Sequence, residues 1–187
     1  VVIHRALDAS IRAGLLYDAE RHGLRIGVLG STYSYEPLPL LARAVELAAQ
    51  RLSLPGRLRI MGKSYGDRLR DEFAGRVEVD VTGHVSEADA IPLLSDCFAL
   101  DLNYPFGRRD AVRRQTSFPT KLSTYIQAAR PLLLHVPTDS SVMPIVDETG
   151  YAVPWANLDP QAGADVLVSI WNQPDNHHSR AVDASRI

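Results

Sequence analysis

With a single cysteine in 187 residues, the chain has no disulfide framework open to it, and a reducing compartment is its natural setting. That cysteine, Cys97, lies in the apolar stretch SDCFALDL with no histidine or cation nearby to activate a thiol. It reads as a small buried hydrophobe. An excess of one charge is also missing. Twenty basic residues stand against 22 acidic ones, a net of −2, which argues against a nucleic-acid coat or an acidic tail. No apolar run approaches the roughly 18–20 residues of a membrane span. The opening VVIHRALDAS lacks the charged-then-apolar order of a signal peptide. The expectation is a soluble, cytoplasmic protein. Chemical signatures are sparse too. Without G-x-G-x-x-G or a P-loop, dinucleotide cofactors and ATP hydrolysis lose their best support, and without G-x-S-x-G so does a nucleophile elbow. His177 and His178 sit side by side in a polar stretch and read as solvated, so no metal site is expected.

What remains is an ordinary globular composition, 45% apolar and 22% charged, in a chain long enough for one sizeable core. Short apolar runs alternate with amphipathic stretches. RIGVLG, RLRIMG, RVEVDVTG, CFALDL, LLLHV and a short run at 151–153 read as strands. Between them the three-to-four spacing of apolar residues predicts helices over 38–51, 65–73, 87–95, 119–129 and 142–148, with a last one over 160–171. A helix in nearly every gap implies βαβ units and an α/β, Rossmann-like parallel sheet with helices on both faces. The strands are near-continuous apolar runs, as a sheet covered on both faces requires. The weakest order is expected at 104–115 and in a polar tail after Asn172.

In open parallel sheets, ligands bind beyond the carboxyl ends of the strands. Five segments fall there: 30–34, 62–64, 83–85, 103–106 and 115–121. Three of them open with glycine, which lets backbone approach a ligand closely. In the last, Thr116 or Ser117 suits a helix N-cap, Pro119 the first turn, and Thr120 and Lys121 follow. Free amides, a helix start and a lysine suit a phosphate or diphosphate. Arg108, Arg109, Arg113 and Arg114 are candidates to clamp an anion or touch an anionic membrane surface; a solvated loop is the simpler reading.

Six segments, in order, resemble the C-terminal domain of GT-B glycosyltransferases of the retaining, group-1 type. VVIHRALD resembles the linker V-I-P-N-G-V-D, and RIGVLGS the first strand and turn of the donor domain. LRIMGKSYGDRLRDEF resembles the strand-glycine-helix unit that follows. VTGHVSEADAIPLLSDCFALDL is similar to G-x-V-x-x-x-x-L-x-x-L-x-x-A-D-V-x-V-x-P. FPTKLSTYIQAARPLLLHVP resembles P-x-K-L-x-E-Y-x-A-A-G-x-P-V-L, and ETGYAVPWANLDP the G-G-L-x-V-x-x-x-D-P segment. The resemblance implies a linker and lead-in over 1–23, a nucleotide-sugar-binding domain over 24–172 and a tail over 173–187. It also implies a nucleotide-diphosphate sugar as donor substrate, with no separate cofactor. The acceptor would be held by an N-terminal domain absent from this chain. On that resemblance Gly30 and Ser31 match the turn near the phosphates, and His84 and Val85 the segment beside the nucleobase. Thr116, Ser117 and Thr120 match the loop and helix start near the sugar and diphosphate, and Lys121 the lysine of P-x-K-L.

The sequence also departs from the pattern. Where many relatives carry two glutamates eight apart, one near the sugar and one on the ribose hydroxyls, Thr116 and Thr124 stand here. A threonine hydroxyl cannot grip two hydroxyls as a carboxylate does. The usual basic residues after the first strand are replaced by Ser31 and Glu36–Pro37, leaving Lys63 or the arginines of GRRDAVRR to supply that charge. Two readings follow: a glycosyltransferase domain completed by another domain, or a binding or scaffolding domain with a degenerate donor site. A weaker third reading is a sugar-nucleotide enzyme such as an epimerase.

Overall fold

The computed structural model describes residues 17, 19–30, 34–62 and 65–184. Ser31, Lys63 and most of the 1–23 lead-in therefore lie outside the described residues.

Six strands form one parallel sheet: β1 (Leu24–Leu29), β2 (Gly56–Met61), β3 (Glu78–Gly83), β4 (Ala99–Asn103), β5 (Leu132–His135) and β6 (Ala152–Pro154). The helices are α1 (Ala19–His22), α2 (Pro37–Leu52), α3 (Gly66–Glu72), α4 (Glu87–Ser95) and α5 (Ala111–Thr116). After these come α6 (Lys121–Gln127), α7 (Pro144–Thr149), α8 (Pro160–Asn172) and α9 (Pro174–Ala184). The strand order is β3-β2-β1-β4-β5-β6. The chain builds outward from β1 to β3, then returns to lay β4 against the other side of β1. The order reverses between β1 and β4, and there the crossovers leave a crevice at the strands' carboxyl ends.

Alternation along the strands feeds two cores. Ile26, Val28, Leu58, Ile60, Ala99 and Leu133 face α2, α3 and α8. Met61, Leu100, Leu102, Leu132 and Leu134 face α4, α6 and α9. Both faces of the sheet are covered, as the near-continuous apolar strands require. Cys97 is fully buried, its thiol is pushed up to about 12 by burial, and it packs where a Cβ on Gly27 would come within 2.9 Å of its sulfur. It is a small hydrophobe, as read.

Two segments expected to be weakly ordered are structured. Within 104–115, a 3-10 turn (Arg108–Asp110) leads into α5. Arg114 anchors it: the guanidinium donates to Asp139 Oδ1 and Oδ2 at 2.7 and 2.8 Å and to the Gly107 carbonyl at 2.8 Å. The Arg114 guanidinium holds the Asp139 carboxyl down at about 2. The polar stretch after Asn172 is α9. Ala181 is fully buried, and His177 and Ala184, four before and three after it, are half-buried on the same helical face. His177 is thus not a freely solvated side chain, and burial lowers its pKa. The polar average of the segment hid this inward face.

The ladder between β1 and β4 is short, with Ile26 opposite Ala99 and Gly27 opposite Leu100. Beyond it the strands part, and Tyr125 of α6 enters the gap. Its hydroxyl accepts from the Leu29 amide at 2.7 Å and donates to the Asp101 carbonyl at 2.9 Å. Tyr125→Phe leaves both backbone groups without that partner. We expect a loss of about 1–3 kcal/mol in urea unfolding with unchanged far-UV circular dichroism; full retention of stability would mean that the bridge contributes nothing.

Candidate functional site

The crevice opens into a cleft of ≈ 420 Å³. Leu29 at the end of β1 forms its floor. One wall is the start of α4, with Val85, Ser86, Glu87 and Ala90; the other is the start of α6, with Thr120, Lys121, Ser123 and Thr124.

Local chemistry explains how these walls form. Gly30, Gly62 and Gly83 end β1, β2 and β3 with φ of +79°, +129° and +71°, a region that side chains disfavour. The Gly30 amide donates to the Met61 carbonyl and the Gly62 amide to the Gly83 carbonyl, each at 2.6 Å, so the three strand ends are tied in a row. From Gly83 the chain turns into α4, capped by Ser86, whose hydroxyl accepts from the Asp89 amide at 3.2 Å and donates to the Asp89 carboxylate at 2.6 Å. Thr124 is buried, and its hydroxyl donates to Glu87 Oε1 at 3.3 Å, joining the two walls.

Several expected site residues meet here and others do not. Val85, Thr120, Lys121 and Thr124 line the cleft, and Gly30 follows its floor residue Leu29. His84 is exposed and outside the lining. The helix start is displaced from its expected place: α6 begins at Lys121, after Thr120 in αR geometry with no side-chain cap. Thr116 instead ends α5, donating to the Val112 carbonyl at 2.7 Å, and Ser117 is the C-cap of that helix. The reason is a second short helix, α5, which claims the residues that looked like an N-cap. A helix of seven residues also carries too little aligned dipole to act as an anion site unaided. None of the four arginines lines the cleft; Arg114 is taken up by Asp139, Arg113 pairs with Asp110 at 3.6 Å, and Arg108 and Arg109 are exposed on the 3-10 turn. Glu87, Ser86, Ala90 and Ser123 went unremarked in the sequence. The capping pattern Ser86-x-x-Asp89 marked the start of α4, but the meeting of α4 with α6 is a tertiary fact.

The electrostatics centre on Lys121 and Asp101. Lys121 lines the cleft, and its ammonium is buried and has no hydrogen-bond partner among the described residues. Beneath it, in β4, Asp101 is fully buried; its Oδ2 accepts from Asn103 Nδ2 at 2.6 Å and its Oδ1 has no partner among the described residues. Burial pushes the Asp101 carboxyl up to about 7, against the opposing pull of Asn103 and Lys121. Burial also brings Lys121 down to about 8, partly offset by the charge of Asp101.

The sign of the resulting pH dependence follows from linkage. Between about pH 4 and 7 the unfolded chain has released the Asp101 proton that the folded chain keeps, so stability falls as pH rises through that window. Lys121 acts in the opposite sense above about pH 8, where the folded chain has lost a proton the unfolded chain still holds. In Asp101→Asn the falling limb should vanish. Urea midpoints measured from pH 4 to 7 should separate, with the variant gaining on the wild type by an amount on the order of a few kcal/mol at the upper end. Parallel curves would place the proton elsewhere.

The fold is that of one half of a GT-B structure. Among solved structures, the chain is similar to the catalytic domain of cholesterol-α-glucosyltransferase from Helicobacter pylori, with a TM-score of 0.64 at 14% identity over 87% of this chain and 95% of that one. It is similar to HepE from Anabaena in complex with UDP and glucose, with a TM-score of 0.59 at 14% identity over 89% of this chain. It is also similar to the C-terminal domain of a group 1 glycosyltransferase from Francisella tularensis, with a TM-score of 0.60 at 12% identity over 86% of this chain and 82% of that one. The chain spans 45% of the length of HepE. No family model matches the sequence, and no curated protein matches it. Among the described residues, no helix is long and apolar enough to cross a membrane.

Proposed function

We propose that this chain is the donor-binding part of a glycosyltransferase, holding a nucleotide-diphosphate sugar in the cleft between β1 and β4 for transfer to an acceptor carried by another domain. The observation that carries this reading is the buried ammonium of Lys121, without a hydrogen-bond partner among the described residues, on a residue in the wall of a cleft at the point where the strand order reverses. A buried donor left without an acceptor is costly, and a diphosphate oxygen would satisfy it. The fold supports the same reading, since HepE of like fold was solved with UDP and glucose bound. In such a site the domain's contribution is to position the donor and stabilise the departing diphosphate, and Lys121 is the group suited to the second task.

A second reading has an observation of its own. Threonines stand at both positions where a carboxylate was expected, Thr116 lies at the end of α5 away from the cleft, and Thr124 is tied to Glu87. A domain that binds a nucleotide sugar without turning it over fits these facts, and it shares the binding prediction below.

Calorimetric titration of this domain with UDP, GDP, ADP and dTDP tests the shared core. One nucleotide should bind. Ser123→Trp, which places an indole in the cleft, should abolish binding, and Lys121→Ala should weaken it by about 1.5–3 kcal/mol. Affinity should also decline as pH rises past about 8, where Lys121 loses its proton. Silence from all four nucleotides, or full binding by Ser123→Trp, would contradict the assignment. With binding in hand, release of the nucleotide from the sugar by the chain joined to an acceptor domain would separate the enzyme from the non-catalytic reading.

A further inference from the structure

Lys121 and Asp101 carry opposite charges in one buried region, yet no hydrogen bond joins them. The Lys121 ammonium has no hydrogen-bond partner among the described residues, and neither has Asp101 Oδ1. The fold brings the two residues together. Tyr125, one turn after Lys121 on α6, donates to the Asp101 carbonyl at 2.9 Å, and each of the two charges is felt by the other. An ammonium and a carboxylate within each other's field in a low-dielectric interior attract strongly, and left alone they would close into an ion pair.

Asn103 is the group that restrains them. It stands two residues beyond Asp101 in β4, on the same face of the sheet, and its Nδ2 donates to Asp101 Oδ2 at 2.6 Å. Asn103 is only 1% exposed, so water does not compete for that bond, and pairing with His135 of β5 fixes its place in the sheet. The separation has a chemical consequence. In a closed pair the ammonium's donors would be taken up by Asp101, and an arriving anion would have to break the pair. With no carboxylate nearby, burial alone would act on Lys121 and favour its neutral form. A carboxylate held near but out of bonding reach avoids both. It supports the ammonium charge through space and leaves the donors open on a residue that lines the cleft.

We infer that Asn103 and Asp101 are positioning residues for the donor site: Asn103 restrains the Asp101 carboxylate, and the restrained carboxylate keeps Lys121 charged and open to a diphosphate. The inference rests on the donor-binding reading and adds to it the groups that govern its cation. Neither residue lines the cleft, and both act through Lys121. Other titratable groups near the pair do not duplicate Asp101. Glu87 of α4 stands in the cleft wall and is the same in every variant below. Tyr125 of α6, Tyr151 beside β6 and His135 of β5 are kept neutral by burial, which raises both phenols well above their ordinary range and brings the imidazole down to about 4.

The test is a double-mutant cycle read by calorimetry with UDP, GDP, ADP and dTDP. It is run at about pH 7.5, between the values to which burial brings Asp101 and Lys121. For the nucleotide that binds, Asn103→Leu, which is similar in size and removes the donor, should weaken binding roughly fivefold or more as the freed carboxylate closes on Lys121. In an Asp101→Asn background the same substitution should change affinity by less than about twofold, because no carboxylate remains to close. Asn103→Ala repeats the comparison if circular dichroism shows that leucine is not accommodated. The pH profile is a second readout. In Asp101→Asn the loss of affinity on raising pH should set in earlier than in the wild type, by roughly half a unit or more, since a lysine deprived of the carboxylate gives up its proton sooner. Equal losses from the Asn103 substitution in both backgrounds, or a pH limit unmoved by Asp101→Asn, would overturn the inference while leaving the donor site intact. Failure of all four nucleotides to bind the wild type would remove the donor site and this inference with it.

Discussion

The parting of β1 and β4, bridged by one phenol, is the feature on which the rest of the site depends. Two parallel strands at the centre of the sheet stop pairing after Gly27 and Leu100, and the exposed backbone groups beyond must find other partners. Tyr125 provides them, accepting from Leu29 and donating to Asp101. Its ring is fully buried, and its carbonyl accepts in turn from the Tyr151 hydroxyl at 3.1 Å. Because Tyr125 sits in α6, the same insertion that satisfies the sheet also sets the depth of that helix. Four positions earlier on α6, Lys121 is brought over the end of β4, and one position earlier Thr124 is brought against α4. Sheet topology makes the crevice, and the tyrosine sets its shape.

The charges beneath the cleft have a stability cost of their own. Asp101 and Lys121 each leave an atom without a hydrogen bond among the described residues, and burial moves each pKa toward neutrality. A purely structural core would place apolar side chains at both positions, and such replacements are often neutral or stabilising. A buried pair with such atoms, one member in β4 and the other in the wall of the cleft, is what the proposed donor site would use. At the opposite end of the sheet, Asp96 accepts from Arg59 at 3.0 Å, pairs with Arg25, and lies 3.1 Å from His22. That cluster ties β1, β2 and the end of α4 together.

Much of the architecture was legible in the sequence because burial on both faces writes itself into composition. RIGVLG, RLRIMG and LLLHV are too apolar to be anything but covered strands, and the stripe along 38–51 repeats at helical spacing. The covered region of the sheet and the glycine turns at Gly30, Gly62 and Gly83 followed. Short elements were less readable. In α5 a buried arginine does the anchoring, and Arg114 looks like any other member of GRRDAVRR until Asp139, 25 residues later, is set beside it. In α9 the inward face is marked by little more than Ala181 and its half-buried neighbours His177 and Ala184, too weak a signal to stand out beside NQPDNHHSR. The site divides the same way. Lys121 and Val85 could be found from their place after strands, whereas Glu87 needed the contact between α4 and α6. Conversely, Thr116 and Ser117 looked like a cap only because α5 was not foreseen.

The most direct measurement of the central claim is a map of amide chemical shifts on the isotopically labelled domain as a nucleoside diphosphate is added. The account requires the largest changes at Leu29, at Val85 to Glu87 and at Lys121 to Thr124, with the strand ends around Asp96 unaffected. Changes confined to another face, or no changes at saturating nucleotide, would contradict the placement of a donor between β1 and β4.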